Sequence, residues 1–222
     1  MLAHGRAITE TSFARRYAKT VFFAVLGVMT LFVFYKDEGF IFHPHSPDWN
    51  RFYTFRWLLI PHAFAGLIAL ALGPTQFSTR LRRCNLRLHR ILGRFYVGAV
   101  AVASPFAFAI GVYHEPFVLM FPTCTQSLLW AVTTCAAFAN ARSRRITQHW
   151  QWMVRSYCVT FIFVTSRLVQ AIPALAGMSR ATFAAILFTL QLVAMLGPDL
   201  AFNWRDVFIA RRASPKDTLG HV

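Results

Sequence analysis

Apolar stretches long enough to cross a bilayer recur along the chain, each followed by a short polar turn or a basic loop. A membrane-crossing helix rises 1.5 Å per residue and needs about 20 largely apolar residues. Such runs lie at 19–35, at 57–77, from the basic loop 79–94 onward to 113, at 117–139, at 150–177 and at 181–202. The pattern predicts an all-α fold: an integral membrane bundle of six transmembrane helices. It divides the chain into an N-terminal segment, 1–18, a transmembrane domain, 19–202, and a tail, 203–222. Between the first two runs, Pro44 and Pro47 break any helix, and His114-Glu115-Pro116 forms a turn between the third and fourth. Asn85 is placed to cap the third helix, and Pro105 is expected to kink it.

The fifth run is the unusual one, because it carries Arg155 and Arg167 inside an otherwise apolar span. His149 and Arg167 are 18 positions apart, about five whole turns, so they share a face with Ser156 and Thr160. An ionisable side chain facing lipid costs at least about 2.5 kcal/mol. This polar stripe is therefore expected to face the bundle interior or a ligand. In the second run, His62, Gly66, Ala69, Gly73 and Gln76 recur at steps of four and three and form one small face with a polar residue at each end. Small residues permit close approach of membrane helices or a flat ligand. His89, Gly93 and Tyr96 share a face of the third run, with Arg90 and Arg94 beside them, placed to reach lipid phosphates or an anionic ligand.

Composition strengthens the membrane reading: the 222 residues are 56% hydrophobic and only 14% charged, with mean hydropathy +0.46. The net charge of +15 would suggest nucleic acid on a soluble domain, but here the cations punctuate apolar spans, and no nucleic-acid partner is expected. Of the 23 Lys and Arg, 17 fall in residues 1–19, the loops 79–94 and 140–151, and the tail. The positive-inside rule then predicts that both termini are cytoplasmic. That topology groups His89, His149, Arg90, Arg94, Arg155 and Gln76 at the cytoplasmic side. It puts His62, His114 and Gln170 towards the outer side, with Arg167 between the middle and the outer side. Four cysteines without CxxC spacing give no disulfide framework and no zinc site. The pair His43 and His45 around Pro44 is a weak metal motif in a loop.

Imidazoles facing each other from two helices can hold haem iron axially. His89 with His149 forms one depth-matched pair, with Arg90, Arg94 and Arg155 near the propionates; His62 with His114 forms a second, with Arg167 as the anion partner. This arrangement resembles the ascorbate-dependent transmembrane cytochromes b, six-helix proteins whose two haems are held by histidines of the second to fifth helices. It departs from them in that His89 and His149 sit at the starts of their helices and His114 lies in a turn.

The segments HAFAGLIALALGPTQF, LHRILGRFYV and QHWQWMVRSYCVTFIFVTSRL resemble more closely a family of bacterial multi-pass membrane proteins known as domain of unknown function 2306. The resemblance covers about residues 57–170 and implies a multi-pass location in the bacterial inner membrane. The family pattern reads His-Arg-x-Trp-Met-x-Arg, and here Trp150 stands in place of the arginine after His149.

Gly-x-Ser-x-Gly, His-Glu-x-x-His and phosphate-binding glycine loops are missing, and of the eight acids only Glu115 and Asp199 lie close to a span, at opposite ends of the membrane, which leaves no set of intramembrane carboxylates for a proton relay. Hydrolysis is not expected, and enzyme activity, if any, is redox. The sequence points first to a haem b electron carrier acting with a quinone or another redox partner. The alternatives are a transporter or binding protein for a small anion, lipid or quinone, in which Arg167, His62 and Gln170 line a cavity, and a non-enzymatic subunit of a membrane complex. Oligomeric state is left open.

Overall fold

The computed structural model describes residues 2–37, 49, 52–175 and 177–208. His43 and His45, and most of the tail, lie outside the described residues. The described residues form seven α-helices: α1 (Leu2–Asp37), α2 (Arg56–Gln76), α3 (Thr79–Cys84), α4 (Leu86–His114), α5 (Phe117–Arg142), α6 (Ile146–Gln170) and α7 (Arg180–Phe208). Single 3-10 turns occur at Tyr53–Phe55 and Pro173–Leu175, and the described residues contain no strand.

Local chemistry sets the joints. Ser78 Oγ accepts a hydrogen bond from Leu81 N at 3.2 Å, and Asn85 Oδ1 accepts one from Leu88 N at 2.9 Å. Two caps seven residues apart turn the basic segment 79–94 into a short helix followed by the first turns of α4, rather than the loop its charge suggested. Glu115 is extended, with ψ 142°, as the residue before a proline is forced to be. As a result α4 runs through His114, which ends the helix instead of lying in a turn. Between α5 and α6, Arg144 adopts φ 57°, the left-handed conformation that closes a helix end. Its N–H reaches Ala141 O at 3.2 Å and that of Arg145 reaches Asn140 O at 2.9 Å. This is the Schellman arrangement, and it brings the start of α6 back alongside the end of α5.

The core is a ring of four helices: α2 packs on α4, α4 on α5, α5 on α6, and α6 back on α2. Helices α4 and α6 therefore stand on one diagonal and α2 and α5 on the other. α7 covers the outside of α5 and α6, and α1 leans on α6. Ala65, Ala69, Tyr96, Val100, Ala103, Trp130, Met153 and Tyr157 fill the centre. A smaller cluster of Val33, Leu70 and Val164 joins α1, α2 and α6.

The outer surface carries many large apolar side chains, among them Phe22, Phe64, Phe95, Val132 and Leu192. A soluble protein rarely leaves so much apolar surface to water, whereas a bilayer solvates it. The stretches Tyr53–Gln76, Leu86–His114, Phe117–Arg142 and Arg180–Trp204 are long and apolar enough to cross a membrane. The apolar part of α1, Thr20–Lys36, is shorter. α6 has 25 residues, the length of a span, but falls outside this set because its polar stripe lowers its hydropathy.

The small face of α2 meets α6 at Gly73, where a Cβ would fall on the ring of Tyr157. Tyr157 is itself held by its hydroxyl, which donates to Leu70 O at 3.4 Å. We expect Gly73→Ala to push the ring off this bond and lower stability by about 1–3 kcal/mol, the usual cost of overpacking. Thermal unfolding in detergent should show the loss, and Gly73→Ala combined with Tyr157→Leu should recover part of it.

Candidate functional site

The polar residues of α6 meet partners from both neighbouring directions. Tyr96 of α4, fully buried, places its hydroxyl 2.7 Å from Ser156 Oγ and 3.0 Å from Thr160 Oγ1 across the diagonal. From α5, the Trp130 indole N–H donates to Thr160 Oγ1 at 2.8 Å, and Thr134 Oγ1 lies 2.7 Å from Ser156 Oγ. Thr160 Oγ1 also donates to Ser156 O at 2.8 Å, one turn back along its own helix. Five side chains from three helices thus satisfy one another where no water is at hand, the condition for polar groups inside a membrane protein. They hold the α4–α6 diagonal at a fixed width.

At the end of the bundle that carries α3, the same diagonal bears two histidines. His89 is the fourth residue of α4 and His149 the fourth residue of α6. His149 Nδ1 is 2.9 Å from Ala137 O on α5. A carbonyl only accepts, so a neutral ring carries its proton on Nδ1 and keeps the Nε2 lone pair free. His89 Nδ1 is buried with no hydrogen-bond partner. Gln76 closes the floor here: it is buried, bonds Thr75 Oγ1 at 3.2 Å, and leaves no room for a Cβ at Gly93, which would lie 2.9 Å from Gln76 Oε1. Arg90 and Arg94 are exposed.

Arg155 does not stand beside them as a free cation. It forms an ion pair with Asp199 of α7 and lies over the Trp152 ring, 4.9 Å from its centroid. Its side chain is 10% exposed and that of Asp199 46%, so the pair sits at the rim of the bundle, with one side open. The sequence reading assigned Arg155 to an anionic ligand; an acid 44 positions downstream takes that place.

The other candidates separate at the opposite end. His62 turns to α4, with Nδ1 2.9 Å from Ala103 O, and feels the charge of Arg167 from α6. Arg167 lies over Phe163, 5.5 Å from the ring centroid. His114 is exposed and stacks on Phe55 at 4.2 Å between centroids. Gln170 is exposed, with its amide 3.4 Å from Ser166 O. His62 and His114 thus each have a contact of their own, one with backbone and the other with an aromatic ring. A small cavity of ≈ 240 Å³ at this end is lined by Gln170, Ser179 and Arg180 among others.

Sequence reasoning missed Trp130 and Thr134, and it placed Asp199 at the end of a span without pairing it with Arg155. Trp130 and Thr134 are four apart, one turn along a single face of α5, which was a usable signal. Asp199 was one of only eight acidic residues and was visible as a lone acid in an apolar run.

The fold and these polar contacts define a helical membrane protein in which Tyr96, Trp130, Thr134, Ser156 and Thr160 bond one another at the centre and His89 and His149 lie at one end. Residues 59–201 match the family described as predicted membrane protein (DUF2306), and the chain belongs to that family. No curated protein and no solved structure matches the chain. Among the described residues, no group of three or more His, Cys, Asp or Glu is gathered to hold a metal ion.

Two substitutions separate the parts of the network. Tyr96→Phe removes one hydroxyl from partners that still have others and should cost about 1 kcal/mol. Thr160→Val strands the buried Trp130 indole N–H and should cost about 2 kcal/mol. At the rim, Asp199→Asn should cost on the order of 2 kcal/mol, between the values of exposed and buried pairs. Unfolding midpoints in detergent test the order, and Asp199→Asn should be relieved by adding Arg155→Gln.

Proposed function

We propose that this protein is a six-span protein of the bacterial inner membrane, with both termini cytoplasmic, that binds haem b between His89 and His149 and carries electrons. Residues of α1 from Thr20 and the whole of α6 supply the two spans beyond the four most apolar ones. The observation that carries the haem reading is the diagonal pair. Two imidazoles occupy the same position on facing helices, one with its Nδ1 bonded to a carbonyl and the other with its buried Nδ1 unpartnered.

A hydrogen bond from Nδ1 to a carbonyl is the usual way to aim a histidine's Nε2 at a metal. The donor set therefore fits a bis-imidazole iron site. Tyr96 and its partners fill the bundle centre, so a haem held by His89 and His149 would lie outside that network. Arg90 and Arg94 are the cations available for propionates at this end, Arg155 being paired with Asp199. Bound haem would supply one-electron chemistry; the protein's part is to orient the two rings and keep the centre closed. The electron partner would be a quinone or another redox protein.

The alternative, binding or transport of a small anion, draws on the other end, where Arg167 acts on His62 and a small cavity lies beside Gln170 and Arg180. A reduced-minus-oxidised absorption spectrum of protein purified from a haem-replete host separates the two. We expect bands of a low-spin b haem, lost in His89→Ala and in His149→Ala and kept in His114→Ala. A colourless protein with an unchanged unfolding midpoint would overturn the haem reading.

A further inference from the structure

Between α2 and α4, on the outside of the ring, runs a groove of ≈ 650 Å³ that none of the other described helices fills. Phe64 and Ile68 form one wall, and Ile91, Phe95 and Gly98 form the other. A side chain at Gly98 would meet nothing within 4 Å, so the glycine leaves the groove open rather than serving a close helix contact. The one charged residue in the lining is Arg94.

From Arg94 to Val102 the groove follows α4 for eight residues, about 12 Å. Half of a bilayer's hydrocarbon core is about 15 Å deep. An acyl chain entering from the leaflet nearest Arg94 would therefore lie along most of the groove. The charge at that end has one sign: segment 79–94 contains six arginines and no acid. A phosphate reaching this end meets cations without a competing carboxylate in that segment, and a zwitterionic headgroup gains less because its own cation is repelled.

We propose that this groove is a binding site for one anionic phospholipid, with an acyl chain along Phe64, Ile68, Phe95 and Gly98 and its phosphate held by Arg94. The site includes neither histidine and needs no haem; the one residue it shares with the haem reading is Arg94. It makes α4 a helix with two duties, a polar inner face and a lipid-holding outer one.

Native mass spectrometry of detergent-purified protein, supplied with phosphatidylglycerol or phosphatidylcholine of matched chains, tests it. We expect one phosphatidylglycerol to be retained in preference to phosphatidylcholine. Arg94→Gln should reduce that preference about fivefold, the effect of one cation near an anionic lipid surface. Gly98→Leu and Ile68→Phe, each filling the groove, should release the lipid while leaving the unfolding midpoint of the lipid-free protein unchanged. Equal retention of both lipids, retention unaffected by either filling substitution, displacement by inorganic phosphate alone, or a dimer in which a second copy covers the groove would each overturn the proposal.

Discussion

A hydroxyl or indole proton inside a bilayer has no water to turn to, and the structure depends on how α6 meets that requirement. Its Ser156 and Thr160 would be a liability on a lipid-facing helix. Placed in the ring, they receive Tyr96 from across the bundle and Trp130 and Thr134 from the side. Hydrogen bonds have direction and length, so this set fixes spacing and rotation of three helices in a way that apolar contacts alone do not. The least apolar of the long helices thereby becomes the one that α1, α2, α5 and α7 all touch.

Close packing around this centre follows from small residues placed where large ones arrive. Gly73 lies under the Tyr157 ring, and Gly93 under Gln76. Both exchange side-chain volume for proximity, which is how membrane helices gain contact when lipid offers no hydrophobic penalty to escape. The same geometry brings His89 and His149 to one end of the α4–α6 diagonal. The left-handed turn at Arg144 contributes too, since it lays the first turn of α6 beside Ala137, whose carbonyl orients His149.

Charge is handled differently at the two ends. At the α3 end, Arg155 finds Asp199, whereas Arg90 and Arg94 remain exposed beside the arginines of 79–87. At the other end, Arg167 lies over Phe163. Membership of the DUF2306 family states that such a chain is a membrane protein and leaves the chemistry to these groups. The haem reading rests on the histidine pair, and the lipid reading rests on the groove outside it.

The sequence by itself determined the class. Helical length, apolar content and basic loops are one-dimensional properties, because the bilayer imposes its thickness and dielectric on each span separately. It also located the polar stripe of α6 and the small face of α2, since helical periodicity places residues on faces without reference to partners. Which partner each face meets was decided by tertiary structure. Arg155 was read as a ligand cation because Asp199 is 44 residues away in sequence and adjacent only after α7 folds back. His62 and His114 matched in depth, yet depth leaves rotation about the helix axis open; packing turned one ring to Ala103 and the other to Phe55. Rotation and pairing come from contacts between helices, and no single helix carries that information.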